Sequence, residues 1–118
     1  MAAKDVLGIR GEDIAVEALK ASGYTIVERN WRCSQGEIDI VAVDGSETVF
    51  VEVKTRSSVA FGHPFAAITV LKLARLRRLA AAWCEQHPGP HNAIRIDAIS
   101  VIAPSLTTPT IEHLRRVF

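Results

Sequence analysis

Glu37-Ile38-Asp39-Ile40-Val41-Ala42-Val43 and Thr48-Val49-Phe50-Val51-Glu52-Val53-Lys54, joined through Asp44-Gly45-Ser46, decide the fold. Two β-branched runs separated by an Asp-Gly turn predict a β-hairpin. Strand side chains alternate faces, so Glu37 and Asp39 share one side of their strand and Phe50, Glu52 and Lys54 one side of the next. Val49, Val51 and Val53 take the opposite, core-facing side. The hairpin thereby brings Asp39 beside Glu52-x-Lys54, two carboxylates and an ammonium at the end of a mostly apolar element.

Before the hairpin, 6–21 is rich in helix formers, with Ile9, Ala15, Val16 and Leu19 at helical spacing before Ser22-Gly23 stops the run. Tyr24 to Glu28 reads as a short strand, and Arg29-Asn30-Trp31-Arg32 leads to a turn at Ser34-Gln35-Gly36. After the hairpin, Thr55 to Ile68, with Phe61-Gly62-His63-Pro64, suits a loop or lid. Thr69 to Gln86 is a second helical pattern with Leu73, Leu76, Leu79, Ala80 and Trp83 on one side, ended by His87-Pro88-Gly89-Pro90. Ile94 to Ile102 predicts a further strand, and 103–109 a loop into a short tail helix carrying Ile111, Leu114 and Phe118. The order helix, three strands, helix, strand predicts an α/β fold, a small mixed sheet flanked by helices.

The chain's 118 residues are about one domain's worth, and 48% hydrophobic with 23% charged residues is ordinary globular composition, which excludes disordered, collagenous and disulfide-scaffold classes. A formal net charge of +1 leaves any nucleic-acid reading to local patches. Cys33 and Cys84 form no CxxC pair, so reduced thiols in a cytoplasm are expected. Met-Ala-Ala-Lys-Asp leads into Glu12 and Asp13 without a signal-peptide core, and no segment is apolar long enough to span a bilayer, so a soluble protein with no membrane partner is expected.

Phosphodiester hydrolysis gives the hairpin's charges a reason. Hard oxygen ligands, Asp39 and Glu52, would hold Mg2+ or Mn2+, which can bind a phosphate oxygen and polarise the phosphorus. Lys54 would orient or deprotonate the attacking water, or stabilise the phosphorane-like transition state. Two carboxylates so close need a cation, so metal and Lys54 also answer an electrostatic problem. Glu12 shares the face of Ala15, Val16 and Leu19 and joins as a further metal or water ligand, whereas Glu17 lies off that stripe.

Gly11-Glu12, Asn30-Trp31-Arg32-Cys33, Gly36-Glu37-Ile38-Asp39 and Phe50-Val51-Glu52-Val53-Lys54-Thr55-Arg56 followed by Phe61-Gly62 resemble the YraN-like bacterial family of endonuclease-like proteins in the PD-(D/E)xK nuclease superfamily. The resemblance runs from Gly11 to about Val101. It implies a restriction-endonuclease-like αβββαβ core, akin to Holliday-junction resolvases, in a single domain over 1–118 with its core at about 6–102. It also implies that the family's acidic and basic positions fall on Glu12, Asp39, Glu52 and Lys54. The motif's proline is absent, Ile38 preceding Asp39.

Glu37 is secondary, in a turn role or as a ligand. Lys72 falls in the apolar sector of the second helix, where it snorkels to solvent or reaches a phosphate. Arg75, Arg77 and Arg78 make a solvated helix face or, with Arg32 and Arg56, a phosphate-binding rim. Trp31 either stacks on a base or is partly buried. His87 and His91 lie on a Pro/Gly loop without a third ligand and read as a helix-ending turn. P-loop, dinucleotide-binding and serine-hydrolase motifs are absent. The leading expectation is a Mg2+- or Mn2+-dependent nuclease acting on DNA or structured nucleic acid. The alternatives are a non-catalytic nucleic-acid-binding or repair-associated protein keeping the core, and an interaction domain indifferent to metal. Oligomeric state stays open, with a symmetric homodimer in view because one small domain offers little surface to grip a duplex.

Overall fold

Helix-forming residues from Ala3 to Ala21 make α1, and the Ala15, Val16 and Leu19 stripe predicted to face the sheet is buried. The computed structural model describes residues 3–60, 62–91, 93–104 and 107–118. Phe61 of the Phe61-Gly62 motif, the first two residues and part of the 103–109 loop lie outside these. The second helix, α2, spans Val70–Gln86 and starts where the sequence predicts, because the Thr69 hydroxyl caps it by accepting the Lys72 N–H at 3.2 Å. Among the described residues no helix is long and apolar enough to cross a membrane.

Five strands, β1 (Thr25–Cys33), β2 (Gly36–Asp44), β3 (Glu47–Arg56), β4 (Ala93–Ile102) and β5 (Thr110–Leu114), form one sheet in sequential order. All neighbours are antiparallel except β3 and β4, which run parallel because α2 carries the chain back between them. The fold is therefore the mixed α/β expected, with the order αβββαβ completed by β5. The predicted hairpin is β2–β3, and Asp44 pairs Glu47 across a two-residue turn in which Gly45 takes φ 62°.

Three elements differ from the sequence reading. The segment expected as a loop or lid over 55–68 holds a short 3-10 helix at Pro64–Ala67, capped by His63. The first strand does not end at Glu28. It bulges between Ile26 and Glu28 and continues to Cys33, since the apolar Trp31 finds a partner in Ile38 and is buried. The tail is a strand, not a helix: Thr110 and Ile111 are β-branched, and β4 offers an unpaired edge.

Helices cover both sheet faces. One core joins Ala15, Val16 and Leu19 of α1 to Ile40, Val49, Val51 and Ile99. The other joins Leu76, Leu79 and Trp83 of α2 to Val41, Phe50 and Ile96. Phe50 is thus core rather than part of a polar face, and only the ends of β2 and β3 leave that face open to charge. At the opposite end of the sheet, Asp97, 0% exposed, accepts bonds from Arg95 Nε at 3.0 Å and the Arg116 N–H at 2.9 Å, and lies 2.7 Å from His113 Nε2. Arg95 also reaches Glu47 at 2.8 Å and Asp44 at 3.0 Å, so every buried charge there is paired. This cluster fastens β5 to β4.

Candidate functional site

Glu12 reaches the sheet because Gly11 lets α1 approach β3. A Cβ on Gly11 would collide with the Thr55 side chain. The Glu12 carboxylate then meets Glu37 and Asp39 of β2, one oxygen from each lying within 4.8 Å of the others. Asp39 Oδ2 accepts the Val53 N–H at 2.8 Å, which aims its carboxylate across the hairpin. Glu12 Oε1 is buried and, among the described residues, has no hydrogen-bond partner. The nearest cation, Arg29, is 3.9 Å away and is held by Asp13 at 2.7 Å.

Crowding controls the protonation of these acids. Burial, then the negative charge of Glu52, push Asp39 up to about 7 against the pull of the Val53 N–H, and Glu12 and Glu37 add to the rise. Burial likewise raises Glu12, with Arg29 pulling against it. Glu52 pairs with Lys54 at 3.1 Å. Burial works to lower Lys54, but a hydrogen bond with Lys72 and the carboxylates of Glu52 and Asp39 outweigh it and leave the ammonium above its ordinary value. Lys72 is depressed by that same bond, by burial and by the Lys54 charge. Of the two adjacent amines, Lys54 keeps its proton more firmly.

Asp39, Glu37 and Glu52 open onto a cavity of about 230 Å³ walled by Lys72 and Arg75 of α2. Glu12, Lys54 and Arg56 line a neighbouring pocket. Of the residues singled out in the sequence, the fold brings Glu12, Asp39, Glu52, Lys54 and Lys72 to one end of the sheet, and Glu37 is within ligand range rather than peripheral. Arg75 joins them, while Arg78 is exposed one turn further along α2. Arg32 is taken up by Glu37 at 3.0 Å and Arg56 by the Thr55 carbonyl at 3.1 Å. Trp31 is core, so its base-stacking alternative is not realised. His87 ends α2, stacked on Trp83 at 4.1 Å, as a turn residue would.

Arg29 and Asn30 escape a reading by periodicity. The bulge at Ile26/Glu28 shifts their register, and Asn30, at φ 53°, stands across from Asp39, between the pairs Arg29–Ile40 and Trp31–Ile38. Asparagine tolerates this left-handed geometry, a signal that periodicity does not carry. Three carboxylates, one with an orphaned buried oxygen and one pushed up to about 7 by burial and its neighbours' charge, fit a hard divalent cation, whose charge would relieve that crowding.

A sequence model of the uncharacterised protein family UPF0102 matches residues 11–101. The chain is similar to a UPF0102 protein of Arthrobacter sp. (strain FB24), 55% identical over 117 residues and 99% of both chains. A UPF0102 protein of Beutenbergia cavernae shares 55% identity over the same extent. One of Streptomyces griseus shares 50% over 118 residues, again 99% of each chain.

Proposed function

The chain belongs to the uncharacterised protein family UPF0102, and we propose that it is a Mg2+- or Mn2+-dependent nuclease hydrolysing phosphodiester bonds in DNA. The observation that carries this reading is the convergence of Glu12, Glu37 and Asp39 within 4.8 Å. With Glu52 beside them, these residues would hold the cation. Bound there, it would supply Lewis-acid polarisation of a phosphate oxygen and a water of lowered pKa.

The chain's own side chains do the rest. Lys54, steered by Glu52 and kept protonated at Nζ, meets negative charge developing on the phosphoryl oxygens as a fixed cation rather than as a base. Lys72 and Arg75 on the cavity wall bind flanking phosphates, and Arg29 offsets Glu12 while the site is being filled.

The test is cleavage of labelled single-stranded, duplex, flap and four-way-junction DNA with Mg2+, Mn2+ or EDTA. Wild type is expected to cut only with metal. Asp39→Asn and Lys54→Ala, both folded by circular dichroism, should lose on the order of 10²–10³ in rate. Cutting by Asp39→Asn at the wild-type rate would sink the assignment, and DNA binding without metal-dependent cutting would favour the non-catalytic binder.

A further inference from the structure

Val70 and Leu71 open α2, and each is 82% exposed, more than any other large apolar side chain among the described residues. Helix propensity does not ask for them, since the first turn is already capped by Thr69 and polar residues there cost nothing. No packing asks for them either. The helix beyond them is cationic: Lys72, Arg75, Arg77 and Arg78 come before any acid, and Glu85 is its only one.

Helical spacing orders these charges around the apolar tip. Leu71, Arg75 and Arg78 stand at i, i+4 and i+7 and so share one face of α2, while Lys72 turns toward the cavity that holds Asp39 and Glu52. Arg75 lies on the border, on the stripe and in the cavity wall. The surface that meets a phosphate backbone at the site therefore runs without a break into two bare aliphatic side chains. A second copy of the chain would have to bury that arginine stripe against itself. A nucleic acid matches both halves, phosphates on the stripe and base faces on the aliphatic tip.

We propose that Val70 and Leu71 form a wedge that enters between base pairs of duplex DNA held along the Leu71–Arg75–Arg78 stripe, so that the protein selects easily deformed base steps. The proposal rests on the nuclease reading for the identity of its ligand and adds to it a determinant of where the duplex is engaged. Pyrimidine–purine steps unstack at low cost and stiff A-tracts do not, so the wedge discriminates by deformation rather than by base-edge contacts.

The experiment is binding in EDTA, which separates it from cleavage, to duplexes carrying 2-aminopurine at a central TA step or inside an A-tract. Wild type should brighten the probe at the TA step and bind that duplex about tenfold more tightly than the A-tract. Val70→Ser/Leu71→Ser, with α2 helicity retained, should bind both duplexes equally and leave the probe dark. DNA binding with no brightening, or brightening that survives in the double variant, overturns the wedge and leaves the nuclease reading intact. No binding to either duplex overturns the wedge and leaves the nuclease reading to the cleavage assay. Brightening without metal-dependent cutting upholds the wedge and removes the nuclease. A dimer in sedimentation that the double variant dissolves assigns the aliphatic tip to a second copy and overturns the proposal.

Discussion

Asp39 sets the behaviour of the site at the level of single residues. Its carboxyl is raised from 3.8 to about 7, by burial first and then by Glu52, so the folded protein holds this proton more tightly than the unfolded chain does. That contribution to stability is full below pH 3.8 and is lost as pH rises through about 7. Without divalent metal, thermal stability should decline across that window by an amount on the order of a few kcal/mol, and millimolar Mg2+ should restore it above about pH 7 but not at about pH 5. Asp39→Asn should be the more stable protein in EDTA at about pH 8, by ~5 °C in Tm, and indifferent to Mg2+. Scanning calorimetry checks both, and a Tm that ignores pH and metal alike would contradict the cation site. Glu12, Asp39, Glu52 and Lys54 are legible in the sequence because each follows from a local period, about 3.6 for the helix or 2 for the strands. Arg29 and Asn30 are not, because a bulge displaces them, and Glu37's place in ligand range depends on where α1 comes to rest.

Elements bring that geometry about through close approach. Gly11 stands against Thr55, so Gly11→Ala forces α1 away from β3 and carries Glu12 with it. The expected cost is about 1–3 kcal/mol in denaturant unfolding, with weaker Mg2+ binding. Gly11→Ala/Thr55→Ala removes the colliding side chain and should recover most of both losses; a double variant as impaired as Gly11→Ala would refute the steric account. The hairpin is readable because Asp44-Gly45 announces its own turn, and α2 because Leu73, Leu76, Leu79, Ala80 and Trp83 recur at helical spacing. The tail is not, since Thr110–Leu114 becomes a strand only through the edge that β4 presents, a tertiary circumstance with no local signature.

Across the whole molecule, β3 ties the two polar clusters together, offering Glu47 to Arg95 at one end and Glu52 and Lys54 to the site at the other. Burial opposes ionisation of Asp97, yet bonds from His113, Arg95 and the Arg116 N–H hold its carboxyl well below the usual carboxylate range. A depressed acid stabilises the fold above its unfolded value of 3.8 and ceases to do so as pH falls from there toward its folded value, so acid unfolding should begin below about pH 4. Asp97→Asn leaves Arg95 short of a buried partner and should cost about 3–5 kcal/mol in urea titration; a cost under about 1 kcal/mol would show the cluster to be surplus. At the open margin of the sheet, β1 is a nine-residue edge strand with one rim unpaired, the form of structure that recruits strands from other chains into aggregates. Its bulge and the charges of Glu28, Arg29 and Arg32 spoil it as a template, so the irregularity that seats Arg29 and the left-handed Asn30 beside the carboxylates also guards this rim against pairing with another chain.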